Sequence, residues 1–356
     1  ALSGNFMKRI REAVRAKGSL ASRLFDLGLR NGRRYHGDGY HRPGFLKRLA
    51  SAIPYRIVDR LVFRNVRASF GRDIQFCVGG GALLDIEQQR FFKSIGIPIY
   101  QGYGLTEAAP VISSNTPYGH KIGTSGKVAP SVDCRIVRDD GSEAPQGEVG
   151  QITVRGENVM KGYYKNPDAT AEAIRDGWLF TGDRGFLDAD GFLQVVGREK
   201  ALLIASDGEK YSPEEIEEAI LNSSELISQV LVYNDHKPYT TALITVDPDT
   251  VRSYIEQKQL KSADELLDAL AGAIRAFTRT PSYRDRFPER WLPSTFQVLP
   301  EQFSEENHLI NSSMKMVRYK IVDRYKDRIE TMYGPDGQDH KNADNRAVVT
   351  ELFGLQ

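Results

Sequence analysis

The sequence predicts an α/β protein: a parallel α/β sheet with a small β subdomain, followed by a smaller α+β domain. Three observations predict it. A strand–helix–strand succession runs from residue 73 to Gln101-Gly102-Tyr103-Gly104-Leu105-Thr106-Glu107, and such a succession implies parallel strands with ligand loops at their carboxyl ends. From Gly123 to Val196, short β-rich runs alternate with Gly, Pro and Asp turns. Beyond Gly197-Arg198, capped helices and strands resume.

Taken in order, residues 1–70 are amphipathic and helical, broken near Gly37-Asp38-Gly39 and at Pro43, where glycine and proline interrupt a helix. Residues 73–78 read as a strand entering Gly79-Gly80-Gly81, and 85–94 as a helix leading to the strand before Gly102. Runs 133–137, 150–154 and 192–196 read as short strands, with Asp188-Ala189-Asp190-Gly191 as a hairpin turn. Asn166-Pro167 opens a helix, since Asn suits the N-cap and Pro the first turn. Ser212-Pro213-Glu214-Glu215 and Ser262-Ala263-Asp264-Glu265 both have the spacing of a capping box. Strands are expected at 227–233 and 241–246, and a helix from the second box to Phe277. The last 25 residues or so are polar and expected to be poorly ordered, with 348–355 as the part able to dock.

At 356 residues the chain has room for about two or three domains. Its two cysteines, Cys77 and Cys134, form neither a disulfide framework nor a metal-ligand spacing, so a reducing cytoplasm is expected. No apolar run approaches the ~20 residues of a membrane helix. Charge is uneven: residues 1–72 hold 17 Lys/Arg and 4 Asp/Glu, while the remainder is acidic. A basic segment of this kind is either a solvated helical surface or a face for anionic lipid or a polyphosphate, which makes peripheral contact at the inner membrane face a candidate. Nucleic-acid binding is disfavoured, because the segment carries no recognisable module.

The stretch Gln101–Glu107 supplies backbone that can approach a ligand closely, a hydroxyl and a carboxylate. That combination suits a nucleotide phosphate and its magnesium ion. Four further stretches stand with it: Gly79-Gly80-Gly81-Ala82; Trp178-Leu179-Phe180-Thr181-Gly182-Asp183, preceded by Lys161-Gly162-Tyr163-Tyr164-Lys165-Asn166-Pro167; Gly197-Arg198-Glu199-Lys200 with Ser206-Asp207-Gly208-Glu209-Lys210-Tyr211-Ser212-Pro213; and Asn311-Ser312-Ser313-Met314-Lys315-Met316-Val317-Arg318. Together they resemble the adenylate-forming superfamily of acyl-CoA synthetases, luciferases and peptide-synthetase adenylation domains. Within it, the bacterial long-chain fatty-acid–CoA ligases match best. The resemblance is clear over residues 73–220 and 309–325 and looser over 1–72.

The resemblance implies that residues 1–197 are the C-terminal portion of a large AMP-binding domain, helical and α/β over 1–122 and a β subdomain over 123–197. Residues 198–356 would be a mobile C-terminal domain with its hinge near 198–201. It implies ATP, Mg²⁺ and CoA as reactants and a fatty acid as the acid. Gly80, Gly81, Ala82, Gly102 and Gly104 would border the nucleotide and Tyr103 would stack on adenine. Thr106 would bond the α-phosphate, Glu107 hold Mg²⁺, Asp183 accept the ribose hydroxyls, and Arg198 contact ribose or phosphate. Lys200 is the hinge position, Gly208 would line the CoA tunnel, and Lys315 would stabilise charge during adenylation. Two departures stand out: Ala201 occupies a place where Asp is common, and Ser or Asn stands within Asn311-Ser312-Ser313 where long-chain enzymes usually carry Thr. The family's Ser/Thr/Gly-rich phosphate loop ending in Pro-Lys-Gly has no counterpart in residues 1–72. The expectation is therefore a chain that performs little ATP–pyrophosphate exchange by itself. Two alternatives remain open at this point: an adenylate-forming ligase for shorter or aromatic acids, and a non-catalytic nucleotide-binding or interaction protein.

Overall fold

The computed structural model describes residues 2–355 apart from 72, 82, 83, 282, 285, 313 and 314, and leaves the side chains of Leu2 and Lys200 undescribed. The chain divides into two units, Ala1–Lys200 and Ala201–Gln356.

The first unit opens with helices α1 (Leu2–Arg15), α2 (Ser19–His36) and α3 (Phe45–Val58), then a π-helical turn at Asp59–Phe63 and α4 (Arg64–Ala68). The break between α2 and α3 falls at the predicted glycines, and Gly37 and Gly39 both take positive φ, which glycine adopts without penalty. Phe25, Leu29, Val58, Phe63, Phe91 and Phe92 form the core beneath these helices. One face of α3 stays bare: Phe45, Leu46, Leu49, Ile53 and Ile57 are exposed at helical spacing, and Leu61 extends the row.

Strand β1 (Cys77–Gly79), helix α5 (Ile86–Ser94) and strand β2 (Ile99–Gly104) follow. Asp85 caps α5, its carboxylate accepting from the Glu87 and Gln88 amides at 2.8 and 3.2 Å. The first strand is shorter than predicted and starts at Cys77. The sheet is also less parallel than expected. Only β1 and β2 run parallel, with Gly79 opposite Gln101, because only they are joined by a helical crossover. Strands β3 (Val111–Ser114) and β4 (Lys127–Val128) continue it antiparallel.

The β subdomain holds β5 (Val132–Val137), β6 (Gly150–Gly156), helix α6 (Pro167–Ala173), β7 (Ile174–Arg175), β8 (Trp178–Leu187) and β9 (Leu193–Arg198). Its strands pair antiparallel in the order β5-β6-β8-β7, with β9 on β8. Asn166 caps α6 as its sequence implied, accepting from the Ala169 amide at 3.1 Å. The Asp188–Gly191 turn closes β8 on β9 through Gly191 N–H to Asp188 C=O at 2.9 Å. Alternate residues Ile136, Ile152, Val154, Leu179 and Leu193 fill its core.

The second unit comprises β10 (Leu203–Ala205), β11 (Lys210–Tyr211), α7 (Pro213–Ser223), β12 (Ile227–Tyr233), β13 (Asp235–Lys237), β14 (Thr241–Val246), α8 (Pro248–Lys258), α9 (Ala263–Arg275), β15 (Thr295–Val298), α10 (Arg318–Arg324), α11 (Lys326–Thr331) and α12 (Ala343–Phe353). Its main sheet runs β12-β14-β15. The Ser262 capping box forms, with both reciprocal bonds in place. The Ser212 box does not. Glu215 is drawn to Arg286 at 3.1 Å instead, and the buried Ser212 hydroxyl has no partner among the described residues. The C-terminal stretch docks over 348–355 as expected, but the helix there begins earlier than the polar composition suggested, at Ala343. Buried Asn345 accepts from the Val298 amide at 2.7 Å and donates to the Phe296 and His340 carbonyls. Val348 and Val349 bury beside it. A polar residue that satisfies three backbone groups anchors a helix that composition alone would leave loose.

Candidate functional site

The predicted loops at the carboxyl ends of β1 and β2 lie side by side. A Cβ on Gly80 would stand 3.9 Å from the Gly102 carbonyl, and Gly81 has φ +78°. Ala82 lies outside the described residues. Gln101 ties the loops together, its Oε1 accepting from the Leu84 amide at 3.2 Å and Gln89 Nε2 at 3.3 Å. Gly104 is required by the chain itself. A Cβ there would fall 1.8 Å from the Pro110 carbonyl oxygen, because Leu105 N–H bonds that oxygen at 2.9 Å as the backbone doubles back.

The doubled-back loop carries Thr106 and Glu107 on a 3-10 turn, Thr106–Ala108, closed by Ala109 at φ 48°. Thr106 is exposed and Glu107 half-buried. The Tyr163 hydroxyl donates to Glu107 Oε1 at 3.0 Å, and the Met160 amide donates to the Glu107 carbonyl at 2.8 Å.

Tyr103, Asp183 and Arg198 come together. The Tyr103 hydroxyl donates to Asp183 Oδ2 at 2.6 Å, and Arg198 Nε lies 3.2 Å from Asp183 Oδ1. Asp183 and Arg198 are register partners across β8 and β9, so their side chains share one face. Asp183 is 5% exposed, whereas the Arg198 side chain is 69% exposed. Burial pushes the Asp183 carboxyl above its ordinary range, against the opposing pull of Tyr103 and Arg198. Burial also raises the Tyr103 hydroxyl, with the Asp183 charge next in importance. Each oxygen of the Asp183 carboxylate keeps lone pairs to spare for a further hydrogen-bond donor.

Whether Mg²⁺ suits this turn can be judged from the donors. Among the described residues no group of three His, Cys, Asp or Glu side chains gathers to hold a metal. Glu107 offers one hard carboxylate at an exposed loop. That matches a cation that keeps waters and substrate phosphates as its other ligands, so the residues fit.

In the second unit, Lys315 is exposed in a loop closed by the Ile310–Met316 bridge. The Asn311 amide donates to the Lys315 carbonyl at 2.9 Å, and the Lys315 amide to Asn311 Oδ1 at 2.9 Å. Gly208 sits in a tight turn at φ +84° with no protein atom within 4 Å of its would-be Cβ among the described residues, so its backbone angle alone calls for glycine. Lys200 lies in a 3-10 turn, Glu199–Ala201, at the junction of the units.

The family model for AMP-binding enzymes matches residues 19–164, and that for the AMP-binding enzyme C-terminal domain matches 200–336. The chain belongs to the AMP-binding enzymes. It is 33% identical over 304 residues to the long-chain-fatty-acid–CoA ligase FadD15 of Mycobacterium bovis, covering 83% of this chain and 47% of that one. It is 30% identical to the long-chain-fatty-acid–CoA ligase ACSBG1 of Bos taurus, covering 78% and 40%. The chain thus spans about half the length of the curated relatives it matches. Its fold is similar to the adenylation domain of a Mycobacterium chelonae carboxylate reductase, with a TM-score of 0.63 over 87% of this chain and 45% of that one at 23% identity. The mixed α/β architecture with a separate C-terminal domain is that of the family.

Sequence reasoning missed two features. Tyr163 lies inside the Lys161–Pro167 stretch, yet nothing local says that its hydroxyl reaches Glu107. A cluster of His36, Lys93 and His120 was not anticipated at all. Lys93 Nζ donates to His120 Nε2 at 2.8 Å, and His36 Nε2 lies 3.1 Å from the Tyr55 hydroxyl.

Proposed function

We propose that this chain carries the adenylate-binding part of a long-chain fatty-acid–CoA ligase. The observation that carries this is the convergence of Tyr103, Asp183 and Arg198 beside a turn bearing Thr106 and Glu107. The similarity to ligases for long-chain acids supports a long-chain acid as the substrate class. In the reaction, a fatty carboxylate oxygen attacks the α-phosphorus of ATP, giving acyl-AMP and expelling pyrophosphate. The CoA thiol then attacks the acyl carbon, loses its proton, and expels AMP. Tyr103 would stack on the base, Asp183 would accept the ribose hydroxyls, Arg198 would contact ribose or phosphate, and Thr106 would bond the α-phosphate. Lys315 would offset charge as the adenylate forms, the Gly208 loop would serve the thiol step, and Lys200 would be the pivot between them. Glu107 would hold Mg²⁺, whose chemistry is to neutralise phosphate charge.

Titration calorimetry with non-hydrolysable acyl-sulfamoyl adenosines tests this. A palmitoyl analogue should bind at least tenfold more tightly than a benzoyl one. Equal affinities favour an adenylate-former for other acids, and no binding of either favours a non-catalytic protein.

We also propose peripheral contact with anionic lipid through the basic N-terminal segment. The exposed row Phe45, Leu46, Leu49, Ile53 and Ile57 is interleaved with Lys47, Arg48 and Arg56, the make-up of an interfacial helix. Among the described residues no helix is long and apolar enough to cross a membrane. Flotation with phosphatidylserine vesicles should recover the protein, and Leu49→Glu with Ile53→Glu should abolish recovery. Equal flotation with neutral vesicles would remove the charge component, and no flotation would leave this row to a protein partner.

A further inference from the structure

The segment from Asn158 to Tyr163 grips the turn that carries Glu107 at three points. Asn158 Nδ2 donates to the Ala108 carbonyl at 2.8 Å, the Met160 amide to the Glu107 carbonyl at 2.8 Å, and the Tyr163 hydroxyl to Glu107 Oε1 at 3.0 Å. The first two fix the backbone of the turn, and only the third reaches the carboxylate.

Tyr163 is itself held. Its amide donates to Thr170 Oγ1 at 2.9 Å, and that hydroxyl donates to the Asn166 carbonyl at 2.8 Å. A Cβ on Gly162 would meet Thr170 Cγ2 at 2.7 Å, and Gly162 has φ +149°, so the chain enters Tyr163 along one path. Asn166 caps α6, which ties the arrangement to a regular element. A half-buried glutamate on a short turn with no such partner samples several rotamers, and fixing it costs side-chain entropy on each binding event.

We infer that Tyr163 is a positioning residue for Glu107: its hydroxyl takes one lone pair of Oε1 and sets the plane of the carboxylate, presenting the remaining lone pairs to a hard cation bound with the nucleotide. This rests on the reading of Glu107 as the magnesium-holding residue. Hydrogen bonds behind a metal-binding carboxylate orient it, and their loss weakens the metal about 10–100-fold. Tyr163 touches neither nucleotide nor acid in this role.

The test measures Mn²⁺ binding to the whole chain in the presence of ATP, by the electron paramagnetic resonance of free Mn²⁺, alongside metal-free AMP affinity and Tm. Glu107→Gln should abolish ATP-dependent Mn²⁺ binding. Tyr163→Phe should weaken it about tenfold while leaving AMP affinity and Tm unchanged. Wild-type Mn²⁺ affinity in Tyr163→Phe, with Glu107→Gln defective, overturns the positioning role alone. Parallel losses of Mn²⁺ and AMP affinity in Tyr163→Phe overturn it too, as a general structural effect. Wild-type Mn²⁺ binding by Glu107→Gln overturns the metal reading of Glu107 and the inference with it.

Discussion

The Tyr103 hydroxyl donates to Asp183 Oδ2 at 2.6 Å, joining residues 80 positions apart that lie in different sheets, one on β2 and one on β8. Arg198 approaches the other oxygen of the same carboxylate. A half-exposed tyrosine, a buried acid and an exposed base thus form one chain of contacts.

Asp183 should cost the fold stability. Its folded pKa is raised by burial, so the folded state disfavours the ionised form, and the stability it contributes at low pH is lost as pH rises through the folded value. Asp183→Asn keeps an acceptor for Tyr103 and removes the buried charge. The expected result is a Tm equal to or a few degrees above wild type, with acyl-adenylate affinity reduced at least tenfold. Differential scanning fluorimetry and calorimetry on the same samples check both halves. A lowered Tm would mean that the pair with Arg198 outweighs the burial.

Acid should unfold the first unit early. Burial, reinforced by Lys93, lowers both His36 and His120 to about 4, below the ordinary value of 6.5. The unfolded chain therefore binds protons that the folded chain refuses. Stability from these two residues is fully present above pH ~6.5 and is lost as pH falls toward ~4. The Lys93 amine, lowered by burial to about 8, still carries its proton at neutral pH and donates to His120. Urea midpoints should fall steadily over that window, and His36→Asn with His120→Asn should flatten the slope. An unchanged slope would place acid sensitivity elsewhere.

Arg318 should matter to folding more than to chemistry. Strand β12 is an edge of its sheet, and Glu217 with Arg318 stands in for a missing neighbour. The Val232 amide donates to Glu217 Oε1 at 2.7 Å, and Arg318 Nη2 donates to the Val232 carbonyl at 2.6 Å. Arg318 Nη1 meets both Glu217 oxygens at 2.7 and 3.0 Å. Arg318→Ala should cost about 3–5 kcal/mol, because it strands a buried carboxylate. Removing Glu217 as well should not restore stability, since Val232 would remain unpartnered. Chemical denaturation of the single and double variants checks this.

Much of the chain was legible before folding. Asn166-Pro167, the Asp188–Gly191 turn, the Ser262 box and the strands at Ile227–Tyr233 and Thr241–Val246 all appear where local chemistry put them. These signals work because caps and turns are satisfied within a few residues. The same rule failed at Ser212, where a distant arginine, Arg286, competed for Glu215. At the C-terminus the local cap forms at Asn342, but nothing local shows that Asn345 also pairs with Val298 and Phe296, 47 and 49 positions away.

The sequence by itself determined the family, the residue types that suit a nucleotide, and the turns that display them. Those are local matters of glycine, hydroxyl and carboxylate at fixed spacing. Only the tertiary structure decided that Tyr103 holds Asp183, that Arg198 stands opposite it, and that Tyr163 reaches Glu107. Each contact depends on strand register and on how separate elements pack, and a one-residue slip of β9 against β8 would send Arg198 to the other face.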